Sequence, residues 1–201
     1  MAELDEPLEQ EPNMAEVQPH LLIGDIVAAQ SPELLAAAGV TRLVDLANMF
    51  PQADAPRLLE VNEGLDPPIV SRLEVHVTDV ATEDISWAFD AVNNYIDEAH
   101  SRGEKVLVHC FQGKSRSSTT VIAYLIMSQG YTLREAFDLV KRARASINPN
   151  DGFKRALMAL ERSRFPDQPP SMTFKVKAAV GPPARLRARG ASGAAPDGVT
   201  T

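Results

Sequence analysis

The segment KVLVHCFQGKSRSSTTVIAYLI, residues 105–126, contains a strand, a polar loop and a helix in that order. The apolar run 105–109 is typical of a central parallel strand. The loop contains Gly113, and the apolar helix that follows ends at Gly130. In open α/β sheets, ligands bind at the carboxyl ends of strands, where a helix N-terminus offers free N–H groups and partial positive charge. The segment therefore predicts an anion site, and phosphate is the usual anion.

Three residues of this loop suit chemistry on a phosphate group. Cys110 lies at the junction of strand and loop, and Arg116 follows six residues later. The planar guanidinium can bind two phosphate oxygens at once, and Gly113 allows a tight turn in which successive N–H groups converge. Because cations and helix N-termini stabilise thiolates, we expect Cys110 to be an activated nucleophile. A Walker loop is excluded, because the position of its first glycine is Val108.

Strands and helices alternate on both sides of this segment. Strands are predicted at 20–25, 41–48, 72–79 and 105–109, and helices after Ser31, over 85–100, over 117–129, after Thr132 and after Asn150 or Asp151. A long Pro-rich loop is predicted over about 50–70. The alternation predicts an α/β fold in three layers, with a mostly parallel central sheet flanked by helices. The last helices follow one another without strands, so we expect them to pack on one face.

Composition separates the chain into three zones. Residues 1–18 are acidic and rich in Pro and Glu, which predicts a disordered tail. Residues 19–164 carry the periodic pattern and form the predicted catalytic domain. Residues 165–201 are rich in Pro, Gly and Ala with scattered basic residues, which predicts a flexible tail.

Charge and cysteine content limit the partners and the compartment. The net charge of −7 argues against nucleic acid as the main partner, because phosphate backbones attract basic surfaces. No apolar run approaches the roughly 18 residues that span a bilayer, so no membrane partner is expected. The single cysteine permits no intrachain disulfide and fits a reducing compartment, so we expect a cytoplasmic or nuclear protein.

The motif HCFQGKSRS, with VLVHC before it and VIAYLI after it, resembles the signature of dual-specificity protein phosphatases. The resemblance covers about residues 20–164 and includes LLIGD near the start and NPNDGF near the end. It implies a two-step reaction in which a cysteine thiolate takes the phosphoryl group and water then hydrolyses the phosphocysteine. On this resemblance Cys110 is the nucleophile, Arg116 stabilises the transition state, and no metal or other cofactor takes part. The substrate-binding residues would be Phe111, Gln112, Gly113, Lys114, Ser115 and Arg116.

A proton donor must protonate the leaving oxygen. Asp79 follows the predicted strand 72–79 and comes about thirty residues before Cys110. The resembled family has its general acid at this position, and the same group would later act as base. Glu83 and Asp84 are nearby alternatives, although Asp84 is better placed to cap the next helix. Asp79 itself could be only a helix cap or a solvated acid.

Three further residues are predicted to support the loop. The hydroxyl of Ser117 can donate a hydrogen bond to the Cys110 sulfur, and it can also cap the helix. The resemblance implies that His109 shapes the loop, and no second ligand lies at metal spacing from it. Asn150 is predicted to brace the loop or to cap the last helix.

The substrate is expected to be a phosphoprotein carrying phosphotyrosine, phosphoserine or phosphothreonine. The length leaves no room for the tyrosine-recognition segment of tyrosine-specific enzymes. Fewer than twenty residues precede the first predicted strand, so no kinase-docking domain is expected, although a mitogen-activated protein kinase remains a candidate substrate. Lys114 and Phe111 give the loop a similarity to plant and algal members. A phosphoinositide or RNA phosphatase, and a phosphoprotein-binding module without turnover, are the alternatives. A monomer is favoured.

Overall fold

A five-stranded sheet forms the centre of the computed structural model, which describes residues 13–47 and 66–177. Its strands are β1 (Met14–Gln18), β2 (Leu21–Gly24), β3 (Val40–Asp45), β4 (Ser71–Glu74) and β5 (Lys105–His109). The spatial order is β1-β2-β5-β3-β4. The pairs β2–β5, β5–β3 and β3–β4 are parallel, and only β1 runs antiparallel to its neighbour β2. The predicted mostly parallel sheet is confirmed, with β5 at its centre.

Six α-helices surround this sheet within the described ranges. They are α1 (Ile26–Ala29), α2 (Pro32–Ala38), α3 (Phe89–Ser101), α4 (Arg116–Gln129), α5 (Leu133–Ala143) and α6 (Asp151–Arg164), and a 3₁₀ turn (Ser86–Ala88) leads into α3. The predicted caps explain where several of them begin. Ser31 Oγ accepts from the Leu34 N–H, Thr132 forms a reciprocal capping box with Glu135, and Asn150 Oδ1 accepts from the Phe153 N–H.

The sheet has an apolar core on each face. Along β5, Val106 and Val108 pack on the face covered by α3 to α6, whereas Leu107 packs on the opposite face with α1 and α2. This alternation follows from the two-residue period of a strand and explains why the run 105–109 is apolar throughout. The last helices therefore do share one face, as predicted. None of the helices in the described ranges is long and apolar enough to cross a membrane.

Three sequence-based boundaries are wrong. Met14–Gln18, predicted to be disordered, forms β1, in which Val17 is buried. The strand predicted at 72–79 ends at Glu74, and residues 75–79 continue without regular structure. Residues 165–177, predicted to be a flexible tail, pack against α5 and α6, with the Phe174 ring 5.3 Å from that of Phe137. The remaining parts of both predicted tails, the last residue of the strand predicted at 41–48, and residues 50–65 of the predicted loop lie outside the described residues.

Candidate active site

Cys110 lies immediately after β5, at the carboxyl end of the central strand. It is buried, and its Sγ is 3.2 Å from Ser117 Oγ in the first turn of α4. Ser117 is fully buried as well. The predicted nucleophile and the hydroxyl predicted to serve it are therefore in hydrogen-bond contact.

The N–H groups of the loop between Cys110 and α4 are not used by the rest of the described structure. None of the backbone N–H groups from Phe111 to Arg116 donates a hydrogen bond to another group of the described residues. The loop carbonyls are bonded on the other side, because Ser118 Oγ donates to Lys114 O (2.5 Å) and Thr119 Oγ1 donates to Ser115 O (2.7 Å). The carbonyl oxygens of the loop thus accept hydrogen bonds from hydroxyl groups of α4, while the loop N–H donors remain available to an anion.

Arg116 is anchored at one end of its guanidinium and available at the other. Its Nη1 donates to the carbonyls of Leu46 (2.7 Å) and Ala47 (3.2 Å) at the end of β3. Its Nε is buried and has no hydrogen-bond partner among the described residues, and it lies 3.6 Å from Asp79 Oδ2. A buried unpaired donor is costly, so this Nε is suited to an anionic ligand.

Asp79 is held at the edge of the same cleft. Its Oδ1 accepts from Ser115 Oγ (2.7 Å) and from Asn150 Nδ2 (2.9 Å), and about a third of its side chain is exposed (33%). Asn150 also contacts the loop, because its N–H donates to Ser115 Oγ (3.1 Å), and its Oδ1 caps α6, so the two roles considered for it hold together. Asp84, considered as an alternative acid, accepts from the N–H and the Oγ of Ser86, the first residue of the 3₁₀ turn.

These groups line one cleft of about 340 Å³. Its lining residues are Asp79, Cys110, Phe111, Gln112, Lys114, Ser115, Arg116 and Asn148. Glu83 is not among them, and sequence reasoning missed Asn148, whose N–H donates to Lys114 O at 2.8 Å. Gly113, predicted to bind substrate, is not among the lining residues, and a side chain there would come within 2.7 Å of Gly24 O. Gly113 allows the loop to lie close to β2, and its predicted role in substrate binding rests on its backbone N–H, which has no partner among the described residues.

Comparison with known proteins decides the family. The family model described as "Dual specificity phosphatase, catalytic domain" matches residues 23–163. The chain belongs to this family. Dual specificity protein phosphatase 1 of Arabidopsis thaliana is 35% identical over 147 residues, which cover 73% of this chain and 68% of that protein. MAP kinase phosphatase with leucine-rich repeats protein 3 of Dictyostelium discoideum is 32% identical over 155 residues, or 75% of this chain and only 16% of that protein.

The fold comparison agrees. The crystal structure of human DUSP28 superposes with a TM-score of 0.65 at 33% identity, covering 76% of this chain and 95% of that one. The chain is thus a dual specificity protein phosphatase of the cysteine-dependent type, which acts on phosphoproteins.

His109 precedes the loop of residues 110–116, which we call the phosphate loop, and its contacts are those of a structural residue. It is buried, and its Nε2 lies 3.6 Å from Asp45 Oδ1. Burial lowers the pKa of His109, and the nearby Asp45 only partly opposes that effect. Asp45 also pairs with Arg72 on β4 and accepts from the Ala47 N–H at 2.7 Å. No cluster of metal-ligating side chains occurs in residues 13–47 and 66–177.

Arg144 binds carbonyl groups of the phosphate loop, and this role was not predicted from the sequence. It is buried, its Nε donates to Gly113 O at 3.1 Å, and its Nη2 donates to Gln112 O at 3.2 Å. The same Nη2 lies 3.4 Å from Asp25 Oδ2, which neutralises the buried charge. The only sequence signal was an arginine just past the end of an amphipathic helix, and solvated arginines are common there.

Proposed function

We propose that this phosphatase removes phosphate from tyrosine, serine and threonine residues of a protein through a phosphocysteine on Cys110. The observation that carries the proposal is the convergence on one cleft of the buried sulfur, the unpaired loop N–H groups, the unpaired Arg116 Nε and the Asp79 carboxyl. Nucleophile, anion receptor and proton donor are the three components that phosphoryl transfer needs.

In the first step, the Cys110 thiolate attacks phosphorus, so that a sulfur–phosphorus bond forms as the bond to the substrate oxygen breaks. The N–H groups from Phe111 to Arg116 and the Arg116 guanidinium hold the equatorial oxygens, whose charge they stabilise best in the transition state. Asp79, in its protonated form, gives its proton to the departing oxygen. Phe111, Gln112, Lys114 and Ser115 complete the walls of the cleft.

In the second step, water attacks phosphocysteine from the side of the departed group. The Asp79 carboxylate takes a proton from the water, and the sulfur–phosphorus bond breaks to return the thiolate. The Ser117 hydroxyl, 3.2 Å from the sulfur, donates a hydrogen bond to the thiolate as it leaves. A hydrogen bond to a charged group is worth about 1.5–3 kcal/mol, so Ser117 should matter most in this step.

A protein kinase is the proposed substrate class, in the cytoplasm or nucleus. The support is the similarity to a protein named as a MAP kinase phosphatase, together with a lone thiol that a reducing compartment protects. Lys114 is exposed and lines the cleft, where its positive charge favours a phosphorylated, anionic segment.

The test combines two variants with a substrate panel. Cys110→Ser should abolish turnover and leave binding of a phosphopeptide measurable, because the anion receptor stays intact. Asp79→Asn should slow phosphopeptides by about 10²-fold or more and slow p-nitrophenyl phosphate much less, since a good leaving group needs little protonation. Trapping of labelled phosphocysteine on Cys110 excludes a pure binding module.

The panel sets phosphotyrosine, phosphoserine and phosphothreonine peptides against phosphoinositides and 5′-triphosphorylated RNA. Faster turnover of the lipids or the RNA than of any phosphopeptide would contradict the proposed substrate class. Cys110→Ser enzyme with near wild-type turnover would contradict the mechanism.

A further inference from the structure

The loop that carries Asp79 rests on the first turns of α6. Asn150 Nδ2 donates to Asp79 Oδ1, and Arg155 Nη2 donates to Ala81 O at 2.9 Å. Between these contacts, a side chain on Gly152 would come within 2.3 Å of Ala81 O, so only glycine allows this close approach. We call residues 79–83 the acid loop.

Residues 165–177, which we call the strap, return along α5 and α6 after α6 ends at Arg164. Ser171 pins its middle, because its N–H and Oγ both donate to the buried carboxylate of Glu161 and its Oγ accepts from the Arg134 N–H at 3.0 Å. Phe174 packs edge-on against Phe137 of α5.

Lys177 of the strap lies beside the acid loop. The Lys177 N–H donates to Asp151 Oδ2 at 3.1 Å, and Arg155 Nη1 donates to Lys177 O at 3.2 Å. One guanidinium therefore bonds the strap with Nη1 and the acid loop with Nη2. The planar fork of arginine fixes the relative direction of its two donors, so the position of the strap determines how Arg155 meets Ala81 O.

We propose that Arg155 is a positioning residue for the acid loop, and that the strap tunes proton transfer by holding Arg155 in place. This inference rests on the proposed role of Asp79 as the acid. Arg155 is absent from the cleft lining and acts through the backbone of Ala81, two residues after Asp79. A displacement of about 1 Å at a proton donor can cost about 10²-fold in rate, so a brace of two hydrogen bonds is sufficient to matter.

The experiment is a leaving-group series on the full chain, with phenyl phosphate and a phosphoserine peptide at one end and p-nitrophenyl phosphate at the other. Arg155→Ala should lower kcat/KM, which reports on phosphocysteine formation, by about 10- to 100-fold for the poor leaving groups and change it less than about twofold for p-nitrophenyl phosphate. Arg155→Lys should recover part of the loss, since the ammonium can still donate to Ala81 O. Arg164→Ala, in the exposed last turn of the same helix, is the matched control and should match wild type throughout.

The strap is tested from a distance by Ser171→Glu, which places a second carboxylate against Glu161 and should release the middle of the strap. In Ser171→Glu, as in Arg155→Ala, the rate should fall more for poor leaving groups than for p-nitrophenyl phosphate. The double variant Ser171→Glu/Arg155→Ala should be no slower than Arg155→Ala alone. Hydrogen exchange in residues 171–177 should rise in Ser171→Glu. Wild-type leaving-group dependence in this variant would overturn the part assigned to the strap.

Asp79→Asn separates failure of this inference from failure of the proposed acid. If Asp79→Asn shows no leaving-group dependence of its effect, then the acid assignment itself is wrong. If Asp79→Asn shows that dependence and Arg155→Ala slows all substrates equally or none, then Arg155 does not position the acid and only this inference falls.

Discussion

At the scale of single residues, Gly113 shows how the phosphate loop depends on an absent side chain. Its φ of +68° is in the left-handed region, and the loop lies so close to β2 that a Cβ would meet Gly24 O at 2.7 Å and Arg144 Nε at 2.9 Å. Gly103 has the same backbone conformation (φ +70°), but a Cβ added there would have no neighbouring atom within 4 Å. Comparison of substitutions at the two glycines therefore distinguishes the cost of the left-handed backbone from the cost of close packing.

We therefore expect Gly113→Ala to be worse than Gly103→Ala. Both should lose about 1–2 kcal/mol of unfolding free energy to the left-handed conformation, and Gly113→Ala should lose about 1–3 kcal/mol more by overpacking. Only Gly113→Ala should also lower kcat, because its loop holds the phosphoryl oxygens. Urea unfolding and p-nitrophenyl phosphate kinetics measure both effects, and equal losses in the two variants would show that the contact with Gly24 relaxes without cost.

The residues themselves pointed to those that their neighbours along the chain explain, whereas Asp79, which meets the loop through a distant contact, was assigned through the family resemblance, and Arg144 was missed. Cys110, Arg116 and Ser117 belong to one local segment, so their spacing alone brings them to one loop. Arg144 contacts that loop only because α5 ends beside it, and a helical period does not specify which group the next side chain meets.

At the scale of elements, capped helices were predicted well and edge segments poorly. Ser31, Thr132 and Asn150 carry their own capping signals, whereas β1 buries only Val17 and so shows no apolar alternation. The strap was missed for the same reason. Its Pro-rich composition favours a flexible tail, and its order comes from Glu161 and Phe137, which belong to the helices.

Glu161 joins three elements and gives the prediction at this scale. Its side chain is buried, Oε1 accepts from the Leu133 N–H at the start of α5 (2.8 Å), and Ser171 of the strap donates to both oxygens. Glu161→Ala would leave a helix N-terminal N–H buried and unpaired. We expect a loss of about 2–4 kcal/mol of unfolding free energy.

The matched control is Glu98→Ala, whose carboxylate is about half exposed and pairs with the exposed Arg102 at 2.7 Å. It also lies 3.6 Å from the buried Arg42, which keeps its pair with Glu104 in this variant. Exposed pairs contribute about 0–1 kcal/mol, so this variant should stay close to wild type. Chemical denaturation measures both, and hydrogen exchange should show that only Glu161→Ala loosens residues 171–177. A Glu161→Ala protein as stable as Glu98→Ala would mean that water replaces the lost acceptor.

At the scale of the whole molecule, folding buries His109 and partly buries His20, so their protonation is linked to folding. His109 lies beneath the phosphate loop, and His20 lies in the turn between β1 and β2. The His20 ring is 3.9 Å from that of His100 at the end of α3, and its Nε2 is 3.2 Å from the Tyr124 hydroxyl on α4. Burial lowers the pKa of His20, His100 lowers it further, and Asp97 opposes both.

Because the folded-state pKa of both His20 and His109 is below the unfolded value of about 6.5, the unfolded chain binds more protons as the pH falls through that value. The unfolding free energy contributed by these groups is therefore complete above about pH 7 and is lost progressively below about pH 6.5. His20→Gln keeps a donor near Tyr124 but cannot take up the proton, so its stability should fall less than that of wild type between about pH 7 and about pH 5. His76→Gln, at an exposed histidine, is the control for replacing an imidazole by an amide. Urea unfolding at a series of pH values measures the slopes, and parallel curves for His20→Gln and wild type would show that protonation of His20 is not linked to folding.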